Sequence, residues 1–237
     1  MNRDNNKIVR DNFVMKIGII GGTGGMGKGF ALRWCVNHDI LIGSRDASRA
    51  DEVAREYFAS AVKEHGSPKG KITGTDNIST AKESDVLVLS IPYENTDAIC
   101  SQILPNIKDS CIVISPIVPL TKTDAGFELI SFKENKPSAF ELVQRYMKNK
   151  SHLVAAFHTI SEKKLIDTKL VLDSDIFVCG DSDDAINVVN GLIKEITNLR
   201  PILLGPGSLS YLAETATPIL INAMIKNKMK NPGIKII

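Results

Sequence analysis

The feature that most restricts how this chain can fold is the run Ile19-Ile20-Gly21-Gly22-Thr23-Gly24-Gly25-Met26-Gly27-Lys28-Gly29. Gly22, Gly24 and Gly27 fit the pattern Gly-x-Gly-x-x-Gly. There a tight turn, close approach of backbone to a pyrophosphate, and close helix-to-strand packing each exclude a Cβ, and the helix N-terminus offers amide donors to phosphate. Alone the match is weak, but its context is right. A β-branched strand precedes it, a helical segment follows, and a second strand ends about twenty residues on. Dinucleotide binding is the expected use.

The rest of the chain alternates short apolar runs with longer amphipathic ones. Strands are predicted at 16–20, 39–42, 71–73, 85–90, 111–115, 153–157 and 176–179, and helices at 26–36, 48–64, 184–198 and 209–225. The segment 203–207 reads as a turn. Runs apolar throughout, such as Val86-Leu87-Val88-Leu89, suit strands covered on both faces. The expected fold is therefore α/β: a Rossmann-like, doubly wound, mainly parallel sheet with a small C-terminal helical portion. We divide the chain into a flexible extension (1–14), a nucleotide-binding domain (15–160) and a C-terminal portion (161–237) that completes the substrate pocket and a dimer interface.

Composition excludes several other classes. The 237 residues are 43% apolar and 24% charged, enough for a buried core, and a net charge of +2 gives no general reason to bind nucleic acid or an anionic membrane. No apolar run reaches the length of a membrane span and the start lacks a signal-like stretch, so a cytoplasmic protein is expected. Cys35, Cys100, Cys111 and Cys179 are scattered and read as buried hydrophobes, and no two histidines have metal-ligand spacing, so no metal is expected.

The end of the second strand discriminates between nucleotides. NAD sites place a carboxylate there for the ribose hydroxyls, whereas this chain has Ser44 and Arg45, with Arg49 one helical turn on. A hydroxyl and two guanidinium groups favour the 2′-phosphate of NADP(H), although Asp46 stands ready to partner a ribose hydroxyl.

Later motifs sharpen this reading. Together with the glycine run, Gly43-Ser44-Arg45, Ser90-Ile91-Pro92, Ser115-Pro116-Ile117-Val118-Pro119, His158-Thr159-Ile160, Val178-Cys179-Gly180-Asp181 and Gly233-Ile234-Lys235 make the chain from residue 15 to 237 resemble the NADPH-dependent coenzyme F420 reductases, also called F420H2:NADP oxidoreductases. The resemblance implies a homodimeric, mainly archaeal or actinobacterial enzyme acting on small molecules, which moves a hydride between nicotinamide C4 and C5 of a 5-deazaflavin. Carried over by position, Thr23, Gly24, Gly25 and Met26 would bind the pyrophosphate, and Thr23, Ser44, Arg45 and Arg49 the 2′-phosphate. Ser90, Ile91 and Pro92 would line the ribose and nicotinamide. Pro116, Val118, Pro119, His158 and Ile160 would wall the deazaflavin, and Pro232 and Gly233 would close the pocket.

Direct hydride transfer needs no protein nucleophile, only two rings held in contact with water excluded. Ile91, Pro92, Val118 and Ile160 are stiff apolar residues suited to that task. His158 is the nearest titratable group; a proton role, an orienting contact and a satisfied core histidine all remain open. At one position the chain departs from the family: Tyr211 stands where an arginine would suit the coenzyme's phosphate, while Thr215 and Thr217 keep hydroxyls for the coenzyme or for packing. The anionic tail would then be held more weakly, or by Lys122 or Lys163. The helix at 209–225 carries more apolar surface than one buried side requires, which a dimer interface or burial within the subunit would use. Other readings are a reductase of an imine, keto acid, flavin or metal, and a non-catalytic NADP-sensing dimer.

Overall fold

The computed structural model describes residues 14–130 and 137–237, so the expected N-terminal extension, apart from Val14, lies outside the described residues. Ten strands are described: β1 (Lys16–Ile20), β2 (Asp39–Ser44), β3 (Ile72–Asp76), β4 (Val86–Leu89), β5 (Ile112–Ser115), β6 (Leu120–Lys122), β7 (Phe127–Leu129), β8 (Leu153–Ala155), β9 (Ser174–Gly180) and β10 (Leu199–Gly205). The α-helices between them are α1 (Gly25–Trp34), α2 (Ala47–His65), α3 (Asn77–Glu83), α4 (Thr96–Ile103), α5 (Ala139–Gln144), α6 (Glu162–Ile166), α7 (Asp183–Glu195) and α8 (Ser210–Lys226).

Eight strands form one sheet in the order β10-β9-β8-β5-β4-β1-β2-β3, and β6 and β7 make a separate hairpin. From β3 to β8 every pairing is parallel; β9 then runs antiparallel to β8, and β10 parallel to β9. The sheet is covered on both sides, as the wholly apolar strands require. Val86, Val88 and Ile114 enter a core shared with α1, α2 and α7. Their neighbours Leu87, Leu89 and Val113 enter a second core with α3, α4 and α5. A run apolar at every position is therefore the consequence of a strand period of two set between two layers of helix.

The chain order leaves β1 flanked by β2 on one side and β4 on the other, so the loops after β1 and β4 diverge at the sheet's C-terminal edge. This is the crevice where open α/β sheets hold ligands. One sequence expectation needs correction: Leu203 and Gly205 belong to β10 and pair with Val178 and Cys179, so the turn begins only at Pro206. Pro201 lies within β10, which is the edge of the sheet, where a proline's missing N–H is tolerated. The C-terminal portion is thus helical with two strands of its own.

Phe157 packs the chain that follows β8 onto α1. It is fully buried, with a left-handed φ of 68°, and packs edge-on against Phe30 and Trp34 of α1, ring centroids 5.0 and 5.7 Å away. The turn it makes leads through His158 to Ile160 to Glu162, whose side chain lies against Gly25. Just beyond, Arg33 donates from Nε to the Leu165 carbonyl at 2.8 Å and from Nη2 to that of Asp167 at 2.7 Å, pinning α6 against α1.

Candidate active site

A cleft of about 740 Å³ opens at the divergence of β1 and β4. Its floor is the glycine turn, and three glycines there have two different physical reasons. At Gly22 a Cβ would stand 2.8 Å from the Ile19 carbonyl oxygen, and at Gly27 it would stand 2.6 Å from the Cα of Gly22, so turn and helix pack backbone on backbone. At Gly24 a Cβ would meet only the Gly21 carbonyl, at an ordinary 3.5 Å. Packing does not demand glycine at that position. The open side is the cleft that Gly24 lines, and there a Cβ would stand between the helix α1 N-terminus and anything bound to it.

Thr23, Gly24, Gly25, Met26, Ser44, Arg45, Ser90, Ile91, Pro92 and Pro116, all named from the sequence, line this one cleft. Gly22 and Gly27 lie beneath it. Arg49 is exposed on the first turn of α2 and is not part of the lining. Asp46 caps α2, its Oδ1 accepting from the amides of Ser48 at 2.9 Å and Arg49 at 3.2 Å. The carboxylate that could have served a ribose hydroxyl is thereby engaged by the helix, and Ser44 and Arg45 border the corner.

The remaining candidates divide among other places. His158, Ile160, Thr217 and Pro232 line a smaller cavity of about 220 Å³ with Leu220, Ile221 and Met224. The two cavities adjoin in sequence, Ser161 lining one and Glu162 the other. Thr217 donates from Oγ1 to the His158 carbonyl at 2.8 Å, fixing the loop to α8. Thr215 instead donates to the Tyr211 carbonyl and lines an outer groove with Phe127, Ile219 and Asn222. Val118 and Pro119 lead from the cleft into the β6–β7 hairpin and line neither cavity. Gly233 packs on Ser174, where a Cβ would stand 2.2 Å from its Oγ, and the Asp175 amide donates to the Ile234 carbonyl at 2.7 Å. Because β9 is antiparallel to β8, this docking holds the tail on the ligand side of the sheet.

Sequence reasoning missed Gly21, Asn77, Asn95, Gln102 and Glu162, which also line the cleft. For Asn77 the missing signal was strand length: β3 continues to Asp76, opposite Ser44, where the apolar pattern had ended at residue 73. Gly25 and Gly29 serve a purpose the motif hides. A Cβ on Gly25 would stand 2.1 Å from Glu162 Oε1, and one on Gly29 2.7 Å from Leu165, so these glycines admit α6 onto α1.

Burial sets the electrostatics of the smaller cavity. His158 is 7% exposed, its Nδ1 has no hydrogen-bond partner among the described residues, and desolvation pushes its pKa down to about 4. The ring is neutral at neutral pH and offers the cavity one donor or acceptor rather than a charge. Apolar walls with a few polar atoms suit a flat heteroaromatic ring. The larger cleft, with amides at one end and a guanidinium at the other, suits a dinucleotide.

Known proteins agree with this geometry. The sequence profile of the family "NADP oxidoreductase coenzyme F420-dependent" matches residues 16–119. The F420-dependent NADP reductase of Methanocaldococcus jannaschii is 37% identical over 94% of this chain and 98% of its own length. The chain belongs to the F420-dependent NADP reductase family. A second member, the F420-dependent NADP reductase of Methanothermobacter thermautotrophicus, is 32% identical over 94% of this chain and 95% of its own. Among solved structures, a putative F420-dependent NADP-reductase from Arthrobacter sp. FB24 superimposes with a TM-score of 0.76 at 22% identity, covering 94% of this chain and 99% of that one. A pyrroline-5-carboxylate reductase from Coxiella burnetii shares the fold at a TM-score of 0.53 and 15% identity, over 92% of this chain and 73% of that one.

Proposed function

We infer that this protein is an oxidoreductase that transfers a hydride reversibly between NADPH and coenzyme F420. The observation that carries the reading is a pair of cavities lined by consecutive residues of one segment, Ser161 in one and Glu162 in the other: a cleft over the glycine turn that includes Ser44 and Arg45, and a smaller, mostly apolar chamber. When bound, the two coenzymes supply the hydride donor and acceptor carbons. The chain's own residues bind, orient and dehydrate. Thr23 to Met26 hold the pyrophosphate through the α1 N-terminus, and Ser44 and Arg45, with Arg49 at longer range, hold the 2′-phosphate. Ser90, Ile91, Pro92 and Pro116 hold one ring, and Ile160, Thr217 and Pro232 the other. His158 orients through its neutral ring; with a pKa of about 4 it has no imidazolium proton to give at neutral pH. Residues 161–237 complete the pocket.

The deciding experiment mixes the protein with NADPH and oxidised deazaflavin under anaerobic conditions, where the visible band of the deazaflavin should bleach. NADPH binding without bleaching overturns the reading. Turnover of an imine, keto acid, flavin or metal would then identify a different reductase, and turnover of nothing a sensing module. Two mutational outcomes follow from the geometry. Arg45→Ala should lower the preference for NADPH over NADH about ten- to hundredfold in kcat/KM, since a charge-assisted hydrogen bond contributes about 1.5–3 kcal/mol. His158→Gln should leave the shape of the pH–rate profile between about pH 6 and 8 unchanged, because no titration of this ring falls in that window; loss of an inflection there would restore the proton role.

The homodimer belongs to the same proposal. Leu212, Ile219 and Ile225 on α8 are 45%, 60% and 53% exposed, an apolar surface that a second copy would cover. Ile219→Lys should yield a monomer by light scattering at concentrations where the native protein is dimeric; an unchanged mass removes α8 from the interface. A cytoplasmic location is supported by four free, buried cysteines, as a reducing compartment leaves them.

A further inference from the structure

Asn77 is the residue of the cleft that neither its packing nor the roles above explain. It follows Asp76 at the end of β3, and Asp76 is in register with Ser44 at the end of β2, so Asn77 borders the same corner as Ser44 and Arg45. Its Oδ1 is buried and has no hydrogen-bond partner among the described residues. That oxygen points toward Gly43, where a Cβ would stand only 3.0 Å from it. An orphaned buried acceptor is costly, and a leucine of similar size would fill the space without it. A planar amide has two arms; with the oxygen turned inward, the Nδ2 arm is left for the cleft. The neighbouring carboxylates do not compete for it. Asp46 caps α2, and Asp76 caps α3 by accepting from the Ile78 and Ser79 amides, each at 2.9 Å, and from Ser79 Oγ at 2.6 Å.

We propose that Asn77 is a further specificity-determining residue of this protein, its side-chain amide donating to the phosphate on the adenosine 2′-oxygen beside Ser44 and Arg45. The proposal rests on the reading that the cleft holds NADPH. It adds a neutral donor to a site otherwise described by a hydroxyl and a guanidinium, and it accounts for Gly43, whose missing side chain gives the inward oxygen its room.

The test uses the full chain and measures equilibrium binding of two fragments by calorimetry, adenosine 2′,5′-bisphosphate and adenosine 5′-monophosphate, so no turnover is involved. The native protein should prefer the bisphosphate. Asn77→Ala should reduce that preference about tenfold, and Asn77→Asp about a hundredfold, because a carboxylate would then face the phosphate. A residue with a merely structural role would weaken both fragments alike and leave their ratio unchanged. An unchanged or raised ratio in both variants overturns the proposal while the cleft remains a nucleotide site. A native protein with no preference for the bisphosphate would instead overturn the assignment of NADPH to the cleft, and this proposal with it.

Discussion

Replacing Gly24 with valine should weaken NADPH binding by at least about a hundredfold, while costing no more than about 1 kcal/mol of folding stability for the poorer N-cap. Gly24 is the N-cap of α1 with φ −85° and ψ 173°, a conformation open to any L-residue, and a Cβ there meets nothing in the protein closer than 3.5 Å. The binding penalty arises only when a pyrophosphate must approach the α1 amides. Gly27→Ala should behave differently. Its Cβ would stand 2.6 Å from the Cα of Gly22, so two backbone segments must part, at about 1–3 kcal/mol of folding stability, with weakened nucleotide binding as a secondary result. Fluorescence titration with NADPH alongside thermal melts separates the two cases. A Gly24→Val protein that binds NADPH as tightly as the native one would show that the cleft is not where the pyrophosphate sits.

The second large effect concerns Glu214, a fully buried carboxyl on α8 whose two oxygens accept from the Phe140 and Ala139 amides at 3.2 Å each. Desolvation dominates and raises its pKa to about 7 despite those bonds. A folded-state pKa above the unfolded value of 4.5 means that the native protein holds more protons between these limits. The contribution to stability is therefore complete below about pH 4.5 and is lost as pH rises through about 7. Over about 2.5 pH units this amounts to roughly 3 kcal/mol. His158 works in the opposite sense. Its lowered pKa makes stability fall as pH drops from about 6.5 toward 4, so the native protein partly hides both slopes. Comparing Glu214→Gln with the native protein in denaturant melts at about pH 5 and 8 isolates the carboxyl. The variant should gain roughly 2–3 kcal/mol relative to native across that interval. Parallel stabilities at the two values would mean that Glu214 is not held in a desolvated site.

The nucleotide half was legible because its determinants are local. A strand, a turn that excludes Cβ atoms and a helix N-terminus lie within a dozen residues of sequence, and Ser44 and Arg45 follow at the end of the next strand. The second half was legible only as separate motifs. His158, Ile160, Thr217 and Pro232 do share a cavity, but Val118, Pro119, Thr215 and Gly233 were drawn away from it by the hairpin, by α8's own backbone and by β9. β10 was missed because its last residues, Leu203-Leu204-Gly205, were read as part of the turn that follows, and it accommodates Pro201 as the edge strand among the described residues.

From the sequence alone came the layered α/β plan, the glycine turn at a helix N-terminus, and a hydroxyl and a guanidinium in place of a carboxylate at the end of β2. Each depends on residue type and on spacings shorter than one strand–helix unit. Tertiary structure alone decided that Gly25 and Gly29 admit α6, that Asn77 reaches the Ser44 corner, that His158 is neutral, and that Glu214 is buried against α5. Those outcomes follow from contacts between segments distant in sequence and from exclusion of water, and neither is encoded at any single position.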